Sequence, residues 1–399
     1  MKRLSWLLAL LVASAPAWCA KKITVEQLDE MLHSMQQDRK SDDDVATALK
    51  QIELSQELTR ARMNSLVSLV PGPRSTEQIY VLQARSAILP PPDADLPSSS
   101  APEAAEQQNI LDRAAQYVTG TYQQLPNLAA TRTTLRFQDN VEAVGPASGT
   151  QGGAKDASTG SSFSNPVSFV HYINSSEAQV MSEHGAEKPP AEKDKTPWGA
   201  NKMIDFQEPD SSLGLVFHEA REAGTIKWLR WQLVDGKQTA VFSFEVPEKK
   251  SKMAVNVCCF PDVKQTGVAT FYTALTAKSL GGDSNSGGGV TGNFQTNTEW
   301  HNFKSTVPYH GQFFIDPLAG TIIRMITQDE FKPSEVVHEL DTRTDYGSMR
   351  VGAQTLIAPI KSFTNTLVVP NGDSGSGTYT TRRTLFISEY RDYRPAPRK

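Results

Sequence analysis

The chain has few of the residues that most chemistries need. Its 399 residues include three cysteines and seven histidines. Cys19 lies in the leader described below, and Cys258 and Cys259 are adjacent. Neighbouring residues on a strand point to opposite faces, which suits neither an ordinary disulfide nor a shared metal. Two buried thiols acting as small hydrophobes is the plain reading, with a strained vicinal disulfide as the alternative. Stability therefore has to come from a packed core, for which the length is ample. His33, His171, His184, His301 and His310 show no spacing typical of metal ligands. His218-Glu219 and His338-Glu339 each begin a zinc-protease pattern, but Glu222 and Thr342 stand where the second histidine should be. There is no phosphate-cradling glycine loop opening a helix, and no internal repeat. Acidic and basic residues nearly balance, at a net charge of -4, which argues against nucleic acid as a main partner, since phosphate binding needs a concentrated basic surface.

Long apolar runs are also missing, apart from Leu4 to Ala13. That run follows Lys2 and Arg3 and precedes Ser14-Ala15-Pro16-Ala17-Trp18-Cys19-Ala20, the pattern of a secretory signal peptide over residues 1–20. It is too short to span a bilayer as a helix. Cleavage after Ala17, Cys19 or Ala20 fits the pattern. Cys19 opens a lipoprotein reading, against which Trp18 counts, because a small residue is expected before a lipidated cysteine. The expected product is an exported protein of the periplasm or outer envelope with no transmembrane span.

Residues 21–90 read as a separate helical region. Leu28, Met31, Leu32 and Met35 recur on one helical face, and Ser41 before Asp42-Asp43-Asp44 is a strong helix start. Val45, Leu49 and Ile52, then Leu54, Leu58 and Ala61, extend the helical pattern to Pro71-Gly72-Pro73, and another helix is expected from Thr76 to Leu89. Residues 91–102, rich in proline and serine, form a linker.

Residues 103–399 read as one α+β unit built on an antiparallel sheet of about ten strands, with loop inserts at about 140–165 and 182–210. Its organising stretch is Tyr309 to Tyr346. Tyr309, Phe313 and Ile315 alternate with polar residues, and Asp316-Pro317-Leu318-Ala319-Gly320 supplies a turn. Ile322, Ile323, Met325 and Ile326 predict a strand covered on both sides. In the following strand Leu340 and Tyr346 face one way, and Glu339, Asp341, Arg343 and Asp345 the other. Asp235-Gly236 between apolar runs is a hairpin signal. Further strands are expected near Met253 to Phe260, Val268 to Leu275, Thr355 to Val369 and Thr378 to Asp392, and a helix from Ser211 or Ser212 to Glu222. Arg382, Arg383, Arg391 and Arg394 make the last strand basic, a solvated face or a protected edge.

Gly372-Asp373-Ser374-Gly375 spells the serine-protease nucleophile motif, but it lies in a loop whose letters recur in Gly282-Asp283-Ser284-Asn285, and turns favour these residues for backbone reasons. No catalytic set is expected.

Gln124-Leu125-Pro126-Asn127-Leu128 leading to Thr133-Thr134-Leu135-Arg136-Phe137, the run Phe314 to Arg324, and Asp345-Tyr346-Gly347-Ser348-Met349-Arg350-Val351-Gly352 resemble the lipoprotein-carrier superfamily, the LolA/LolB-like fold that includes RseB-like sensors. The whole chain also resembles a group of secreted bacterial proteins. The superfamily implies a curved antiparallel sheet, an open half-barrel with helices over its concave side and an apolar cavity between them. In carriers that cavity holds acyl chains. Alternation along the strands gives Trp228, Trp231, Phe271, Phe313, Ile323 and Met325 as lining candidates. The expected function is non-enzymatic binding of a lipid or lipidated ligand such as a lipoprotein, without cofactor or metal. The alternative is a protein-interaction or sensor module with an envelope protein partner, and an envelope hydrolase stands third.

Overall fold

A computed structural model of the protein describes residues 21–122, 125–139, 170–183, 185–188, 205–207, 213–265, 296–368 and 382–396. The chain divides into two compact units, one through Ala94 and the other from Asp95. The strand expected at 268–275, the Gly372–Gly375 motif, Gly282–Asn285 and Phe271 lie outside the described residues. Among the described residues no helix is long and apolar enough to cross a membrane.

The first unit contains α1 (Val25–Gln37), α2 (Asp42–Lys50), α3 (Arg60–Val67) and α4 (Pro73–Ser86). Both α1 and α2 start in reciprocal capping boxes, Thr24 with Gln27 and Ser41 with Asp44. The expected continuous helical pattern through Ile52 and Leu54 is broken. Ile52–Leu54 forms a short strand, β2, paired in parallel with β1 (Lys21–Ile23). Ile52 and Leu54 are buried around an exposed Glu53, which is the period of a strand. Three residues were too few to override the helical pattern on either side. The unit's core joins Leu28, Leu32, Leu49, Leu58, Leu66 and Ile79.

The second unit is mixed α+β and is built on a ten-stranded sheet. Its strands are β3 (Leu128–Asp139), β4 (Val170–Glu183), β5 (Ala186–Glu187), β7 (Lys227–Val234), β8 (Lys237–Val246), β11 (Tyr309–Ile315), β12 (Ile322–Asp329), β13 (Val337–Val351), β14 (Gln354–Val368) and β15 (Arg382–Pro395). They run β5-β4-β3-β15-β14-β13-β12-β11-β8-β7, every described pairing is antiparallel, and the sheet is not closed. Two neighbours are not consecutive: β8 pairs β11, and β3, the first strand, pairs β15, the last. The latter corrects the reading of β15 as an edge. Two of its arginines reach across the adjacent strands to the next ones, Arg383 to Glu339 of β13 at 2.8 Å and Arg391 to Glu177 of β4. The strand expected at 253–260 leaves this sheet as well. It belongs to β9 (Ala254–Gln265), which forms a separate three-stranded sheet with β10 (Thr296–Thr306) and β6 (Asp205–Gln207).

Two helices, α5 (Ala104–Tyr117) and α6 (Leu213–Ala223), pack on one face of the large sheet, and a π-helical turn over Val118–Tyr122 extends α5. On β8, β11 and β12 that face is apolar, with Phe242, Phe313 and Met325 opposite one another. On β13, β14, β15 and β3 it turns hydroxyl-rich. Thr342 opposes Thr364, Thr366 opposes Thr384, and Ser388 lies between Ser362 and Thr134, bonded to Thr134 at 2.9 Å. All seven are buried.

On the opposite face, where alternation put Arg343 and Asp345, Arg343 is buried and Asp345 half-buried. Arg324 and Arg343 converge on Asp345 at 2.6 and 2.8 Å, and their guanidinium groups lie over Phe314 and Phe363 at 5.3 Å each. Burial alone would raise the Asp345 carboxyl; the two guanidinium groups override it and hold the carboxyl well below the usual range. Charge alternation marks which face these residues take, but says nothing about whether paired ions and aromatic rings seal it.

The Asp316–Gly320 turn is where the sheet meets α5. Asp316 Oδ1 accepts from the Leu318 and Ala319 amides, and Gly320, at φ +69°, donates to the Asp316 carbonyl. A Cβ at Gly320 would lie 2.4 Å from the backbone carbon of Arg113 on α5. Gly320→Ala therefore combines left-handed strain with a backbone clash, and should cost about 2 kcal/mol or more in urea denaturation. Leu318→Ala, two residues away and 89% exposed, should change stability by less than about 0.5 kcal/mol.

Candidate functional site

The geometry of the helix-bearing face decides what it offers a ligand. On α6, Leu213, Val216, Phe217 and Ala220 point to the sheet, and on α5, Ile110, Ala114 and Tyr117 do the same. Phe217 meets Phe313 edge-on with ring centroids 5.2 Å apart, and Phe313 stacks on Phe244 at 4.4 Å. Glu219 on α6 is only 1% exposed, yet both oxygens are occupied: Oε2 accepts from the Tyr309 hydroxyl at 2.8 Å and Oε1 from the Lys252 amide at 2.9 Å. Burial, and then the Glu219 carboxylate, keep the Tyr309 phenol protonated.

The lining candidates take up positions in this layer. Phe313 and Met325 are 0% and 2% exposed and directly opposite each other, so they fill the interior rather than border a hollow. Ile323 is the residue without a partner at the irregularity between β11 and β12, and is half-buried. Trp228 and Trp231, three apart on a strand, should face opposite sides. A bulge between Trp228 and Arg230 shifts the register, and the two rings lie 4.9 Å apart on one face. Trp228 then meets Phe242 edge-on at 5.4 Å. The strands thus bring Trp228, Trp231, Phe313 and Met325 together through Phe242, with Phe313 and Met325 inside the core and the two tryptophans half-buried against it. Phe271 lies outside the described residues.

Space is found on the outer side of the helical layer. A groove of about 770 Å³ runs between α5 with its π-helical turn and α6, lined by Ala115, Val118, Thr119, Gly214, Leu215 and Phe217, with His218, Arg221 and Glu222 at its rim. That volume is within the range that holds small organic ligands. The floor is apolar. The rim side chains pair locally, His218 with Glu222 at 3.3 Å and Arg221 with Asp112 of α5 at 3.9 Å, and all are substantially exposed. The sequence singled out His218 and Glu222 only within a failed metal motif and did not reveal the groove, because an amphipathic helix shows which side is polar, not that a second helix runs beside that side. Glu219 was seen only as part of a failed metal motif. His310, beside Tyr309, is half-buried and paired with Glu330 at 3.0 Å. Among the described residues no cluster of His, Cys, Asp or Glu is arranged to hold a metal ion.

No family profile, curated protein or solved structure matches the chain.

The buried carboxyls beside Tyr309 give the fold a pH dependence. Asp329 lies opposite Tyr309 across β11 and β12, and its buried Oδ1 has no hydrogen-bond partner among the described residues. Burial, with Asp341 adding to it, pushes Asp329 up to about 8, and burial followed by Glu339 pushes Asp341 up to about 6. Both stay protonated in the folded chain where the unfolded chain has ionised. Their effect is therefore a loss of stability as pH rises from about 4 to about 8, levelling above that. Asp329→Asn, which mimics the protonated acid, should gain on the order of 2 kcal/mol over the parent at pH 8 in urea titrations, and little at pH 4.

Proposed function

We propose that this chain is a non-enzymatic, exported envelope protein that binds a lipid or another acyl-bearing ligand. The observation that carries the reading is the groove between α5 and α6. It joins an apolar floor, on which Ala115 and Leu215 are the half-exposed residues, to the polar rim of His218, Arg221 and Glu222, the combination an amphiphile requires. The resemblance to the lipoprotein carriers implies a ligand between helices and sheet. Here that layer is filled by Phe217, Phe313 and Phe244, so the proposed seat is the outer groove. Each methylene drawn from water into the floor contributes about 0.8 kcal/mol, so one chain of ordinary length suffices for binding without a deep anchor. The mixed α+β fold with an open antiparallel sheet is compatible with a half-barrel relative of the carriers, and the leader pattern at residues 1–20 supports export.

Palmitate is a suitable probe, added to purified protein and followed by native mass spectrometry and by displacement of a fluorescent fatty acid. The parent should bind one equivalent. Leu215→Lys, at a half-exposed floor position, should weaken binding about tenfold or more while leaving thermal unfolding unchanged. Absence of binding to the parent, or equal binding to the variant, would remove the acyl-groove reading.

A further inference from the structure

The bulge in β7 that brings Trp228 and Trp231 together also aims an indole out of the core. Trp231 Nε1–H donates to the Ser100 carbonyl at 2.8 Å. Ser100 belongs to Pro97-Ser98-Ser99-Ser100-Ala101-Pro102, which has no helix or strand of its own. Its far end is held as well: Gln107 Nε2 donates to the Pro102 carbonyl at 2.8 Å, and Glu103, at φ -61° and ψ 157°, continues extended into the cap of α5. Aromatic pairs with an indole N–H directed at a backbone carbonyl are the means by which proline-rich extended segments are recognised, because such a segment loses little entropy on docking and cannot satisfy its carbonyls internally. The Trp231 indole is half-buried, whereas the segment itself is largely exposed, with Leu96 at its start 40% exposed. It therefore lies on the surface and is not woven into the core.

We propose that Trp231, backed by Trp228, forms a docking site for a proline- and serine-rich extended peptide, occupied in this chain by its own residues 97–102 through the Ser100 carbonyl. The contact works as a strap. It fixes the entry to α5, one wall of the groove, and its release exposes the aromatic pair to a segment of the same chemistry. This goes beyond acyl binding and does not depend on it.

The test uses the full chain. Elastase, which cuts after small residues, should cleave within 97–102 about fivefold faster in Trp231→Phe than in the parent, the factor expected from one lost hydrogen bond where opening is fast relative to cleavage. Circular dichroism and the unfolding midpoint of the variant should match the parent. A second variant, Pro97→Gly with Pro102→Gly, loosens the strap while keeping both indoles. A synthetic peptide covering residues 95–103 should then shift its tryptophan fluorescence saturably, and should leave the same variant carrying Trp231→Phe unaffected. Equal cleavage of Trp231→Phe and parent, or no saturable response in the loosened variant, would overturn the proposal.

Discussion

The attachment of α6 to the sheet is the constraint on which the second unit depends. An eleven-residue helix is too short to be stable alone in water, so its tertiary contacts must hold it. Two kinds of contact do so at one place. Phe217 inserts its edge against Phe313, and two residues further along Glu219 buries both oxygens on Tyr309 and the Lys252 amide. The aromatic contact is tolerant of small shifts. The carboxylate is not, since a buried acceptor that loses a donor carries its full desolvation cost. The pair therefore fixes the angle of α6 as well as its presence, and with it one wall of the groove.

The same packing explains why free space lies outside the helical layer. Three large rings, Phe217, Phe313 and Phe244, occupy the depth between helix and strand, and interiors at native density leave no room for a chain beside them. The face changes character from β13 onward, where buried threonines and serines replace the rings. Hydroxyls partly satisfied across neighbouring strands, as in Thr134 with Ser388, make a poor seat for hydrocarbon. Among the described residues the interior thus differs from the groove both in how it is filled and in its chemistry.

Much of this fold was legible in the sequence because local rules and the tertiary result agree. Asp235-Gly236 adopts positive φ at both residues, 49° and 77°, in the two-residue turn its letters announce. The Asp316–Gly320 turn and the burial of Phe313 follow from alternation and turn chemistry alone. What was not legible came from pairing at a distance or from register. Nothing in Trp228-Leu229-Arg230-Trp231 reveals a bulge, so alternation put the two rings on opposite faces. The basic character of β15 suggested an edge because the carboxylates that neutralise it, Glu339 and Glu177, lie far away in sequence. The short parallel pair β1–β2 was masked by helices on either side. The groove was hidden because it belongs to the relation between two helices whose individual patterns are ordinary.

The pairing of β3 with β15 bears on how the protein is made. Thr134 and Ser388, bonded in the finished sheet, are 254 residues apart in the chain. At ordinary rates of synthesis the first waits roughly 10 to 50 s for the second to appear. Until then β3 and β4, with only the two-residue β5 beyond them, lack the rest of the sheet, and so small a ribbon has little stability of its own. The nascent chain thus carries an unfinished seam for nearly its whole synthesis, and the last strand out is the one that stitches it.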